Sequence, residues 1–232
     1  MNGSARDFGR ELYPFLYDAP PQPAAALQGV LAEVRRSTLQ KCEDVIALRR
    51  QILADHAARL VQAAVAMAAA FAAGGKLLAF GNGGSATDAQ DAAADCMLPA
   101  FPYWRALPAL ALTSDVAVVT AVGNDVGFEN VFSRQIIALG ERGDVALGIS
   151  TSGSSPNVLA AFAEAKRRGL LTIGLAGYDG GATARAGAVD FCFVARLEHV
   201  PRIQEGQATI WHALLELVQE SLAARGVAEA RA

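Results

Sequence analysis

The chain reads as a three-layer α/β sandwich around a central parallel sheet of about five strands, preceded by helices. Three observations predict it. Five short apolar runs carry one charge among them, Lys76, as strands covered on both faces do. Helix-like stretches separate those runs in strict alternation. The 232 residues are 53% hydrophobic and 19% charged, enough for one sizeable core.

In chain order, residues 1–23 mix aromatics with Pro14, Pro20, Pro21 and Pro23, so an irregular N-terminal arm is expected. Residues 24–232 are expected to form a single domain that opens with helices. Ala24–Ala73 lacks proline and predicts two helices, at 24–38 and 40–73, closed by Gly74-Gly75. The strands follow at Lys76–Phe80, Ala106–Thr113, Val145–Ile149, Leu171–Ala176 and Phe191–Val194. Helices lie between them at Ala86–Met97, Val116–Ala121, Val131–Leu139, Pro156–Gly169 and Thr183–Gly187, with a last one from Gln204 to Arg225.

A net charge of −3 and basic residues in scattered pairs give no nucleic-acid surface. The apolar run Leu60–Ala73 is shorter than the roughly 20 residues of a membrane span, so no membrane is expected. Cys42, Cys96 and Cys192 are odd in number and make no CxxC, as in a reducing, cytoplasmic setting. No secretory signal opens the chain.

Two turns carry the chemistry. Gly81-Asn82-Gly83-Gly84-Ser85-Ala86 joins a strand to a helix, and its glycines let backbone N–H groups approach an anion beside the helix dipole. It is no Walker A loop, and Ala86 stands where a dinucleotide fingerprint has its third glycine. No acid in Ala100–Trp104 is available for a ribose, which argues against a dinucleotide-dependent oxidoreductase. Ser150-Thr151-Ser152-Gly153-Ser154-Ser155 follows another strand, with Pro156 opening a helix. A helix cap explains one or two of those five hydroxyls; a phosphate pocket explains the set. Both turns belong on the carboxyl rim of the sheet.

These blocks, with LPALALTSD (107–115), GFENVFSRQ (127–135), GYDGG (177–181) and PRIQE (201–205), resemble the SIS (sugar isomerase) domain family over residues 40–222, in its phosphoheptose isomerase branch. The resemblance implies isomerisation of sedoheptulose 7-phosphate by a homotetramer with sites at subunit interfaces. It implies phosphate contacts from Ser85, Ser150, Ser152 and Ser155, assisted by Thr151, Asn82 and Gly83, and sugar contacts from Asp115 and Gln204.

The family's acid–base glutamate and histidine, with a further histidine and a glutamine, bind zinc in some members. Here those positions read Asp95, His212, Asp91 and Gln204. Asp95 and His212 are therefore the expected catalytic pair, and Asp91, Asp95, Gln204 and His212 the expected ligands of a divalent metal. Asp91 and Asp95, four apart, share a helical face; so do Gln204 and His212, eight apart. Simpler readings stand beside these: a solvated face for the two aspartates, a core role for His212, a structural or exposed His56. His199 is a loop histidine placed to replace the missing imidazole. The competing function is a non-catalytic phosphosugar sensor or protein-binding regulator, since both changed positions lie in the acid–base set.

Overall fold

The structure, a computed structural model, describes residues 24–229, with side chains over residues 27–225. The arm expected at residues 1–23 lies outside them. The elements are α1 (Ala24–Ala72), β1 (Leu77–Gly81), α2 (Gly84–Met97), β2 (Ala109–Ala111), α3 (Val116–Asp125), a 3₁₀ turn (Phe128–Asn130), α4 (Ser133–Leu139), β3 (Val145–Ser150), α5 (Pro156–Arg168), β4 (Leu171–Gly177), α6 (Gly181–Arg185), β5 (Phe191–Ala195) and α7 (Val200–Glu229).

Where two helices were expected, Ala24–Ala72 is one. No proline interrupts it, and neither Gly29 nor the Ser37-Thr38 pair is enough to break it. The chain divides into two compact units, the first ending at Asp44 and the second beginning at Val45. In the first, Leu27, Val30, Leu31, Val34 and Leu39 are exposed, and Arg36 pairs with Glu33 one turn away. By length and composition α1 can cross a bilayer (mean hydropathy 1.2 over its most apolar window), a test the shorter run Leu60–Ala73 did not anticipate. In the second unit, however, Leu48, Ile52, Leu60, Met67 and Phe71 of this helix are buried in the protein core.

The second unit holds the sheet. All strands run parallel in the order β2-β1-β3-β4-β5, confirming the expected fold class. Alternate residues of each strand serve opposite faces. Leu77, Ala79, Leu147, Ile149, Ile173 and Phe193 join α1, α2 and α7 in one core. Leu78, Phe80 and Ala146 join α4 and α5 in the other. The strand β2 is shorter than the apolar run that predicted it, because Pro108 precedes it and Thr113-Ser114 turns into α3. His56 is buried: the Val194 N–H of the edge strand β5 donates to its Nε2 at 3.1 Å.

From β1 the chain adds β2 on one side and β3 on the other. A crevice therefore opens at the carboxyl ends of β1 and β3, where strand order reverses and open α/β sheets bind their ligands. The second core leans on Phe162, fully buried and edge-on to Phe80 with centroids 5.4 Å apart. Phe162→Ala is expected to lower stability by about 3–5 kcal/mol in urea denaturation; a loss below roughly 1 kcal/mol would show that this packing is not what holds α5 to the sheet.

Candidate active site

Both turns lie at that crevice. Gly81 pairs with Ile149 in the β1–β3 register, so Asn82–Ser85 and Ser150–Ser155 leave the sheet side by side. Gly83 caps α2 with φ of 59°, a conformation that L side chains rarely adopt. Ser85 is buried in the first turn of α2. Ser150 Oγ lies 3.1 Å from Ser155 Oγ and 3.4 Å from Ser152 Oγ, with Thr151 half-buried beside them. Ser154 is the hydroxyl turned elsewhere: its Oγ accepts the Ala182 N–H of α6 at 3.1 Å. Gly153 closes the turn at φ of 61°, where a Cβ would collide with the Gly180 carbonyl.

Asn82 was expected to assist at the phosphate. Its amide instead pairs with that of Asn157: Asn82 Nδ2 donates at 2.8 Å and Asn157 Nδ2 returns the bond at 2.9 Å. Asp115 caps α3, with Oδ1 accepting the Val118 N–H at 3.0 Å.

The helices α2 and α7 pack against each other below the crevice. Near their start, the Gln204 amide faces Asp88 and its Nε2 lies so close to Gly84 that a Cβ there would displace it. About two turns along, Asp95 Oδ2 accepts the Trp211 indole N–H at 3.0 Å and lies 3.6 Å from His212 Nε2. Ten residues separate Ser85 from Asp95 along α2, about 15 Å at helical rise. The expected catalytic pair thus meets, and Trp211 orients it. Beside the pair is a pocket of about 190 Å³ walled by Phe101 and Trp104. The loop bearing them is pinned by Gln219, which bonds both the N–H and the carbonyl of Arg105, at 2.9 and 2.8 Å.

The metal set implied by the resemblance is not gathered. Asp95 and His212 meet, but Gln204 faces Asp88 instead, and Asp91 is exposed. Among the described residues no three His, Cys, Asp or Glu side chains converge, so the donors present do not fit a divalent ion. Gln207 turns into the sheet, bonding the Leu175 carbonyl at 3.1 Å. His199 precedes α7, about 20 Å along its axis from His212, too far to restore an imidazole there. Burial pushes the Cys96 thiol up to about 12, which leaves it protonated.

Asp88 was missed in the sequence, although it lies three and seven residues before Asp91 and Asp95 on one face. Its Oδ2 is buried without a hydrogen-bond partner. Burial first, and the Asp91 carboxylate second, push its pKa from 3.8 to about 6, against the lowering effect of Gln204. The folded chain therefore holds a proton that the unfolded chain has lost between pH 3.8 and about 6, and stability falls as pH rises through that window. Asp88→Asn is expected to flatten that part of the melting-temperature profile and to be more stable than wild type at pH 8. Parallel profiles for the two proteins would refute the shift.

Known proteins are similar to this chain in sequence and fold. The family model described as SIS domain matches residues 42–177. The chain is 47% identical to a phosphoheptose isomerase from Pelobacter propionicus over 74% of this chain and 86% of the relative. It is 51% identical to one from Paramagnetospirillum magneticum over 69% of this chain and 81% of the relative. The solved phosphoheptose isomerase GmhA of Neisseria gonorrhoeae superposes with a TM-score of 0.74 at 36% identity, covering 81% of this chain and 99% of that one. The chain belongs to the SIS domain family, in its phosphoheptose isomerase branch.

Proposed function

We propose that this chain isomerises a ketose phosphate of the sedoheptulose 7-phosphate type to the aldose. The observation that carries the reading is the conjunction of two features on α2. A hydroxyl-lined crevice meets its N-terminus, and the Asp95–His212 pair lies about 15 Å along the same helix. An extended sugar phosphate held at one end by its phosphate brings its carbonyl end toward the pair.

In this reading Ser85, Ser150, Ser152, Ser155 and Thr151 bind the phosphate with neutral donors and the helix N-terminus. Gln204 and Asp115 take sugar hydroxyls. Asp95, with Oδ2 held by Trp211, removes the proton from C1 through Oδ1. His212 delivers a proton to the carbonyl oxygen on C2, giving an enediol. Asp95 returns its proton to C2, while the C1 hydroxyl gives its proton to His212 and becomes the aldehyde. The net transfer is one proton from C1 to C2 and one from O1 to O2.

An aspartate reaches one methylene less far than the family's glutamate, and a displacement of about 1 Å costs on the order of 10²-fold in rate. Slow turnover is therefore expected relative to members that carry the glutamate. Assembly into a homotetramer is part of the proposal. Its support is α3, an apolar helix without a buried residue that begins at exposed Val116, followed by exposed Phe128. The three unpaired cysteines support a reducing, cytoplasmic setting.

The test follows aldose formation from sedoheptulose 7-phosphate by the purified protein, with zinc added and with EDTA. Asp95→Asn and His212→Gln are each expected to lower kcat by at least about 10²-fold while phosphosugar binding persists. Binding without turnover by the folded wild-type protein would favour the sensor function; no binding at all would remove both.

A further inference from the structure

The residue Asn157 occupies the second position of α5, just inside the turn that holds Ser150–Ser155, and is 2% exposed. Serine at a helix N-cap ordinarily accepts an N–H from two or three residues on. Ser155 is the N-cap of α5 and makes no such bond. The N–H it would have taken, that of Val158, donates to Asn157 Oδ1 at 2.9 Å instead. The Ser155 hydroxyl is thereby left over for Ser150, 3.1 Å away, and for whatever occupies the crevice. The same Asn157 amide makes the two-way bond to Asn82, tying the turn after β1 to the turn after β3.

We propose that Asn157 is a positioning residue for phosphate. It takes over the capping of α5, freeing Ser155 for the anion, and it locks the two halves of the crevice together. The inference rests on the reading of these turns as a phosphate site. Asn157 touches no part of the anion and acts through Ser155 and Asn82. Without its Oδ1, the Val158 N–H, third residue beyond the N-cap, falls to the acceptor an N-cap serine ordinarily offers, the Ser155 hydroxyl, which turns from the crevice to cap the helix.

The test measures inorganic phosphate binding to the full-length protein by titration calorimetry in a two-by-two set. Ser155→Ala in the wild-type background is expected to weaken binding roughly tenfold or more, the loss of a hydrogen bond to a charged group. Asn157→Ala alone is expected to weaken it at least as much. Adding Ser155→Ala to Asn157→Ala is expected to cost less than about twofold more, because that hydroxyl has already left the site. Asn157→Asp retains the acceptor for Val158, so in that background Ser155→Ala recovers its full cost; if Asn157 only filled space, the Ala and Asp backgrounds would not differ in this way. Should Asn157→Ala fail to fold, Asn157→Leu, which keeps the buried volume without polar atoms, carries the same set. The inference is overturned if wild type binds phosphate but the Asn157 variants bind within about twofold of it, or if the two losses multiply. Failure of wild type itself to bind phosphate overturns the phosphate site, and this inference with it.

Discussion

Between β1 and β3 the sheet reverses the direction in which it grows, and each functional group hangs from that seam. The two strands are buried on both faces and paired residue for residue from Leu77–Val145 to Gly81–Ile149. Their carboxyl ends therefore stop at one level, and the turns that follow share a single crevice. Everything in the turns is short-range chemistry made possible by that alignment. Shifting one strand by one residue would exchange its two faces and misplace its turn.

Helix α2 carries this seam into the site. It starts at the crevice, runs beneath it and presents Asp88 and Asp95, seven residues apart, toward α7. The two helices meet at two places. At the near one an amide faces a half-buried carboxyl, with an unpartnered oxygen beside it. At the far one an indole and an imidazole address the same carboxylate oxygen. Between them Asp91 faces solvent, which is why the four donors expected to share an ion do not converge. A carboxylate oriented by Trp211 with its other oxygen left over is suited to moving a proton.

The fold was legible because its signals are local. Buried parallel strands read as uncharged apolar runs, and each predicted strand overlaps an observed one. The turns were legible for the same reason, since glycines and hydroxyls at a strand-to-helix junction imply backbone geometry directly. The first helix was expected as two but is one, because no proline interrupts it and helix propensity carries across the expected break at residue 39. Asp88 obeys the heptad spacing that the other aspartates obey, and it escaped notice because its chemistry comes from burial, not from its neighbours in sequence.

By itself the sequence determined the layered parallel fold, the two turns and the expectation that Asp95 and His212 belong together. The fold and the turns follow from residue type and short spacing, whereas the pairing of Asp95 with His212, far apart in the chain, was implied by the family resemblance. Only the tertiary structure decided which groups are occupied and which remain available. Asn82 is 75 residues from Asn157, and Asp95 is 116 from Trp211. Such bonds depend on strand order and helix packing, which no local pattern encodes. For that reason a hydroxyl counted in the sequence became a brace for α6 at Ser154, while an unremarked asparagine at 157 became the tie that holds the crevice together.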